Sequence, residues 1–517
     1  MAKAFFITTP IYYVNDVPHL GHAYPTVAAD ALARFKRLEG REVFLLTGTD
    51  EHGQKVEKAA REYGETPIQL ADRVVNRYKD LWTRLQITHD RFIRTTEPHH
   101  RHAVQAIYRA VQANGDIYLG EYEDWYCTPC ETFWTEKELV EGRCPSCGRP
   151  VERLKEASYF FRMSKYEEPL RRHIEAHPEF IQPASRRNEI LGFLKEGLRD
   201  LSISRTTFAW GIPVPDDPRH VIYVWFDALT NYLSAAGYPD APGELARLWP
   251  ADVHIIGKDI LRFHAVYWPT FLMAARLALP EAVFAHGWWT VEGQKMSKSL
   301  GNVVEPGALV EEFGVDAVRY FLLREVPFGQ DGDFSRTAFV HRLNGELAND
   351  LGNLLNRTLT MVQRYLQGRV ARPEAPGPLD EELRDTAAEA VRGYRTAMAE
   401  LGFSRGLQSL WPLVNLANKY VDENAPWTLA KEPAKASRLR TVLYHALEAL
   451  RITAICLSPV MPGAAEKMWQ QLGLQGSSVV GGETLGGHRL ADAEQWGRFP
   501  EGTVVGRPSP LFPRVEG

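Results

Sequence analysis

The chain has 517 residues, 44% apolar and 24% charged, with a formal net charge of −5. The length predicts about three or four domains in an ordinary globular protein. The negative balance excludes general electrostatic attraction to nucleic acid, so any RNA must be met by local patches or specific contacts. No N-terminal stretch has a signal-peptide layout and no apolar run approaches the length of a membrane span. The expected address is therefore the cytoplasm, with no membrane partner.

In chain order, Ala4 to Thr9 reads as a short buried strand. A helical pattern runs from about Thr26 to Leu38, closed by Gly40, and Glu42 to Thr47 forms a second apolar strand ending in Gly48-Thr49-Asp50-Glu51-His52-Gly53. Between strand and helix lies His19-Leu20-Gly21-His22. Strand, phosphate turn, helix and strand predict the first half of a nucleotide-binding parallel sheet, with polar residues at the carboxyl ends of its strands. Next come two C-x2-C pairs, Cys127/Cys130 and Cys144/Cys147, separated by 13 residues. Each pair forms a knuckle that points two thiolates at one tetrahedral ion, and the spacing predicts one structural zinc with a closed shell of four cysteines. Four cysteines in a large chain without export signals argue against disulfides. The fifth, Cys456, reads as core.

Further on, Trp225, Leu229 and Tyr232 follow i, i+4, i+7 spacing, which taken alone marks an apolar helical face. Val253 to Ile256 leads into Gly257-Lys258-Asp259, and Val283 to His286 into Gly287, as two later strands of the same sheet. Lys295-Met296-Ser297-Lys298-Ser299 then forms a loop, followed by a helix near Ala308 to Phe313. Beyond about Arg336 the apolar residues recur at three- and four-residue spacing, predicting a helical bundle. No clear element is expected after about Gly476.

His19 and His22 lie three apart at the opening of a helix whose N–H groups and dipole already favour an anion. Answered downstream by Lys295 and Lys298, they form the donor set needed to grip a triphosphate while its α-phosphorus is attacked. Each motif alone is weak; together, in this order, they predict activation of a substrate by ATP.

The run Pro10 to Asn15 leading to His19-Leu20-Gly21-His22, with Lys295 to Ser299 later, resembles the class I aminoacyl-tRNA synthetases. Thr49 to Gly53, Tyr223 to Ala228, Gly257-Lys258-Asp259, Phe263-His264 and His286-Gly287 resemble the methionyl-tRNA synthetase family in particular. The resemblance implies a Rossmann-like α/β catalytic domain with a parallel sheet, split by a zinc-binding insertion and followed by an α-helical anticodon-binding bundle. The expected parts are residues 1–116 and 222–290 for the catalytic halves, 117–221 for the insertion, 291–350 for the lysine-loop and stem-contact domain, 351–475 for the anticodon-binding domain and 476–517 for a C-terminal extension. It implies methionine, ATP with Mg2+, and tRNA(Met), including the initiator tRNA, as partners. At this length the expected state is a monomer, because no C-terminal dimerising module follows.

By the same resemblance, His19, His22, Lys295 and Lys298 are catalytic. Methionine falls to Ile11, Tyr13, Asp50, Trp225, Leu229, Tyr232, Phe263 and His264. Aromatic walls suit a thioether, with the Tyr232 hydroxyl and a His264 nitrogen expected to donate weakly to sulfur. Asp50 is expected to hold the substrate ammonium, with Arg205 setting the charge balance around it. ATP falls to His19, Gly21, His22, Gly257, Asp259, Lys295 and Lys298, and the anticodon to Asn353, Arg357 and Trp427. Three other readings stay open on the residues: another class I synthetase such as a cysteine enzyme, a nucleotidylyltransferase with an HxGH motif, and a non-catalytic tRNA-binding protein.

Overall fold

The computed structural model describes residues 3–15, 17–295, 302–374, 376–476 and 479–515. The chain divides into two compact units: Met1–Pro18, Val43–Asp80 and His89–Gly287 form the first, and His19–Glu42, Leu81–Thr88 and Trp288–Gly517 the second.

The first unit is built on a six-stranded, all-parallel sheet. Its order is Arg91–Arg94, Val43–Asp50, Phe5–Tyr13, Val253–Gly257, Val283–His286 and Ile181–Gln182. Phe5–Tyr13 pairs with Val43–Asp50 on one side and, through Ile7 and Thr8, with Val253 and His254 on the other. The order of connection reverses between these neighbours, so the crevice at their carboxyl ends is where such sheets bind ligands. Val253–Gly257 and Val283–His286 are buried throughout, as a parallel sheet covered on both faces requires. The first strand runs four residues beyond the expected Thr9. Pro10 cannot donate to the ladder, and a register shift between Thr8 and Ile11 accommodates it.

The stretch 117–221 carries its own antiparallel sheet, ordered Thr132–Trp134, Ile117–Cys127, Glu152–Phe161 and Leu201–Ser202. A three-stranded sheet of Pro213–Val214, Asp217–Ile222 and Ser204–Arg205 follows. Within the same stretch, Ile181–Gln182 returns to the edge of the parallel sheet beside Val283 and Phe284. Phe161, Met163, Leu170, Ile174 and Leu194 join the large apolar core with Phe6, Leu46, Ile256 and Val283, so the root of this stretch is continuous with the core around the parallel sheet.

The second unit begins with helix Leu20–Leu38 and includes a small sheet, Gln294–Lys295, Trp289–Val291 and Gly332–Phe334. From Arg336 it is helical, with Asn353–Leu366, Pro378–Ala399, Phe403–Asn424 and Ala436–Leu457 as its long members. Cys456 is buried there, as expected of a core residue. A buried ion-pair network anchors the first helix: Asp30 accepts from Arg34 at 2.8 Å and from Arg319 at 2.7 Å, and Arg319 also donates to the carbonyls of Leu85, Pro459 and Val460. Two guanidiniums share that one carboxylate, and backbone carbonyls take further N–H groups of Arg34 and Arg319, so the buried ionic groups are hydrogen-bonded. Although burial alone would raise the Asp30 carboxyl, Arg34 and Arg319 hold it well below the usual carboxylate range. Beyond Gly476 the chain is not structureless: Leu490–Ala493 is a short helix, and Val479, Leu485, Phe499, Val505 and Leu511 are buried. Among the described residues, no helix is long and apolar enough to cross a membrane.

Candidate active site

His19 is the N-cap of Leu20–Leu38, with extended backbone. Its Nδ1 accepts the Gly21 N–H at 3.1 Å, and His22 Nδ1 accepts the His19 N–H at 3.0 Å, a reciprocal capping arrangement made from two imidazoles. Because both Nδ1 atoms are acceptors, the proton of each neutral ring sits on Nε2. The rings lie 3.9 Å apart and are only partly buried. Gly21 is required by its neighbour: a Cβ there would meet His19 Cε1 at 2.9 Å. The motif thus fixes two N–H donors at a helix N-terminus, where the backbone already favours an anion. The Leu20 N–H donates to the Val304 carbonyl at 3.3 Å, so the segment following the lysine loop is tied to the opening of this helix. Lys295 ends the strand Gln294–Lys295, with Thr290 as its register partner. Lys298, with Met296 to Gly301, lies outside the described residues.

The first unit gathers the residues expected to bind methionine. Ile11 and Tyr13 come from the end of the first strand, and Asp50 ends the second. Trp225 and Leu229 lie on helix Val224–Leu229, Tyr232 on the following Asn231–Ala235, and Phe263 and His264 on a π-helical turn, Phe263–Tyr267. Apart from Asp50 and His264 they all belong to, or pack against, one apolar cluster. Trp225 stacks face to face on Phe263, with ring centroids 3.7 Å apart, and His264 stands edge-on to Trp225 at 6.4 Å. The Tyr232 hydroxyl lies 2.7 Å from His264 Nε2, and His264 Nδ1 lies 3.0 Å from the Ile260 carbonyl. The carbonyl can only accept, so Nδ1 carries the proton and the Tyr232 hydroxyl donates to Nε2. Both protons expected to face sulfur are therefore committed within the wall. Burial lowers the His264 pKa to about 4, keeping the ring neutral.

Asp50 is 3% exposed, and its Oδ1 has no hydrogen-bond partner. Burial, followed by the negative charges of Asp227 and Glu131, pushes its carboxyl well above the usual carboxylate range. A buried acid short of a partner is a socket for a cation. Around it the fold is tightly braced. His52 Nδ1 and His100 Nε2 hold the two oxygens of Asp227 at 2.7 and 2.8 Å, and His100 Nδ1 meets Ser234 Oγ at 2.8 Å. Burial opposes ionisation of Asp227, but the two imidazoles hold its carboxyl below the usual range. Glu51 accepts from Arg94, Thr49 and Thr96, so it locks the strand end rather than facing a ligand. The Arg205 guanidinium lies over the rings of Phe133, Tyr223 and Tyr126 at 4.1, 4.8 and 5.6 Å, and its charge acts on Glu131. Asp227, His100 and Glu131 are braces that sequence reasoning missed. Asp227 and His100 are 127 positions apart, a pairing that no local pattern reports.

Gly257 closes its strand beneath Asp259, whose Oδ1 would lie 2.5 Å from a Cβ at position 257. Only glycine leaves that carboxylate room over the strand end.

The four knuckle thiols converge, with all Sγ atoms within 4.8 Å of one another. Cys127 and Cys147 are 3.6 Å apart, and Cys130 and Cys144 3.9 Å. A tetrahedron with Zn–S bonds of about 2.3 Å has edges of about 3.8 Å, so the donor set and its spacing fit zinc. All are free thiols. Elemental analysis of purified protein is expected to give about one zinc per chain. Cys127→Ser is expected to release the metal and open residues 117–161 to proteolysis before the parallel sheet unfolds. A disulfide at these positions would contradict this.

In the helical part, Asn353 is exposed at the start of Asn353–Leu366. Arg357 donates to Asp422 Oδ1 at 2.7 Å and to the Asn418 carbonyl, both on Phe403–Asn424. That helix ends at Ala425, whose left-handed backbone (φ 42°) turns the chain into Pro426–Leu429 and leaves Trp427 43% exposed. Trp427 and Asn353 are thus exposed, while the Arg357 guanidinium is held by its two partners.

Comparison with known proteins shows the family. Residues 5–153 and 150–359 match the model of class I tRNA synthetases (M), and residues 370–516 match the anticodon binding domain of methionyl tRNA ligase. The methionine–tRNA ligase of Caldanaerobacter subterraneus subsp. tengcongensis is 53% identical over 517 residues, spanning 100% of this chain and 80% of that protein. The chain belongs to the methionine–tRNA ligase family. The Bacillus subtilis member is 49% identical over 528 residues, covering 99% of this chain and 78% of its own length. The solved structure of Mycobacterium tuberculosis methionyl-tRNA synthetase in complex with methionyl-adenylate is 46% identical, covers 99% of this chain and 100% of that one, and superposes with a TM-score of 0.94.

Proposed function

We propose that this chain activates methionine with ATP, giving methionyl-adenylate and pyrophosphate, and then transfers the methionyl group to the 3′-terminal ribose of tRNA(Met), initiator included. The observation that carries the reading is the Asp50 socket, with one carboxylate oxygen unpartnered, in the same unit as a neutral aromatic wall of Trp225, Phe263, Tyr232 and His264. Asp50 takes the substrate ammonium, and the wall packs the thioether. With both wall protons committed, sulfur is selected by shape and ring contact rather than by a donated hydrogen bond. The methionine carboxylate attacks the α-phosphorus, and no side chain acts as a covalent nucleophile.

His19 and His22 present Nε2–H donors to phosphoryl oxygens, and these strengthen as charge builds in the transition state. Lys298 and Lys295 neutralise the departing pyrophosphate, with Mg2+ accompanying ATP. Gly257 allows close approach of adenosine, and Asp259 accepts from ribose hydroxyls. The four cysteines hold one structural zinc, which shapes the insertion and takes no part in the chemistry. Cytosol is the compartment where these substrates meet.

Asn353, Arg357 and Trp427 read the anticodon. Trp427→Ala is expected to lower tRNA charging by about 1–3 kcal/mol, the usual cost of a lost stacking platform, while methionine-dependent pyrophosphate exchange stays at the wild-type rate. Both assays on one preparation test this. Equal loss in the two, with the fold intact, would place Trp427 in support of activation instead.

A further inference from the structure

Glu131 follows directly after the knuckle cysteine Cys130, yet it is 1% exposed and adopts a left-handed backbone, φ 50°. Such a conformation is unfavourable for a residue with a Cβ, and burying a carboxylate adds a desolvation cost. Glycine or asparagine would serve the turn more cheaply. The contacts show what the glutamate does there. Its carboxylate shares a hydrogen bond with the Tyr13 hydroxyl and accepts the backbone N–H of Lys55. Its backbone carbonyl accepts the Tyr223 hydroxyl at 2.7 Å, and its Oε2 has no partner.

Lys55 is the second residue of helix Gln54–Tyr63, whose N-cap, Gly53, offers no side-chain cap. A Cβ on Gly53 would meet Glu131 Oε1 at 2.6 Å, so the missing side chain is what admits the carboxylate. Glu131 thus caps this helix from a distant part of the chain. A cap alone does not need the Tyr13 contact. The Tyr13 ring is gripped at both ends, its hydroxyl by Glu131 and its face by the Lys55 ammonium 4.2 Å from the centroid.

We propose that Glu131 is a positioning residue which fixes the Tyr13 ring at the methionine site, so that the cysteine knuckle contributes to amino-acid affinity through a single side chain. This rests on the assignment of Tyr13 and Trp225 to methionine given above.

The test is a double-mutant cycle on the intact protein, Glu131→Ala with Tyr13→Phe, read as KM for methionine and kcat in pyrophosphate exchange. Each single change is expected to raise KM about tenfold, the usual size of a lost hydrogen bond to a buried charged group, with kcat little altered. The double variant is expected to be no worse than the poorer single one, because both remove one interaction. Glu131→Gln keeps an acceptor and is expected to restore most of the affinity, and bound zinc should be equal in all variants. If KM stays at the wild-type value in Glu131→Gln and Glu131→Ala while thermal stability falls, Glu131 is only a helix cap and the proposal is overturned. Fully additive losses overturn it as well. A separate control isolates the underlying assignment: if Trp225→Ala and Tyr13→Phe both leave the methionine KM unchanged, the pocket reading itself has failed.

Discussion

His19→Asn is expected to slow methionyl-adenylate formation by about a hundred- to a thousandfold, the usual cost of removing one preorganised donor to a developing oxyanion, without destabilising the protein. Histidine has two jobs here, on opposite sides of the ring. Nδ1 accepts the Gly21 N–H and caps the helix, whereas Nε2 carries the proton that, in the proposed function, meets phosphate. Asparagine reproduces the first, being among the best N-cap residues, and lacks the second. The thermal midpoint should therefore hold or rise while the rate collapses. His22→Asn follows the same logic, since its Nδ1 accepts the His19 N–H. Stopped-flow adenylate formation beside thermal unfolding checks both. The methionine KM should stay near wild type, because the donors matter most once charge has built up. A parallel fall in stability and rate would make the imidazoles structural caps only.

Asp50→Asn is expected to raise stability and weaken methionine binding. In the ligand-free protein the Asp50 carboxyl titrates above its ordinary range because burial, Asp227 and Glu131 all disfavour its charge. Between the ordinary and the raised value the folded state holds a proton that the unfolded state has lost. This group's stability contribution is thus present at low pH and lost as pH rises through that window. A neutral amide removes that penalty, so the variant should unfold at a higher temperature near neutral pH. Methionine affinity should fall by about 2–5 kcal/mol, as when one partner of a desolvated charge pair is removed. In wild type, affinity should weaken as pH drops through the raised carboxyl value, and in Asp50→Asn that dependence should vanish. Calorimetric titration with methionine across about pH 3–8, an interval spanning the ordinary carboxyl and imidazole values, gives both results.

The inner strands were legible because continuous apolar runs mark a sheet covered on both faces, and the cysteine knuckles because their spacing is a geometric device. The edge strands Arg91–Arg94 and Ile181–Gln182 were not, being short and without an apolar run. The first helix starts at Leu20, not Thr26, because two histidines cap it, and histidine is outside the usual capping alphabet. Trp225, Leu229 and Tyr232 read as an ordinary core stripe, and only resemblance singled them out. Asp227, His100 and Glu131 acquire their roles from partners far away in sequence. The tail after Gly476 looked featureless because its buried residues Val479, Leu485, Phe499 and Leu511 follow no period.

The measurement closest to the central claim is pyrophosphate exchange with each of the twenty amino acids, followed by norleucine. Exchange should be supported by methionine, with the branched-chain amino acids and cysteine far behind. Norleucine should retain measurable activity, because a wall whose protons are committed internally distinguishes sulfur from a methylene only by about 1–3 kcal/mol. Exchange driven best by cysteine or a branched-chain amino acid, or by none, would contradict the pocket described here.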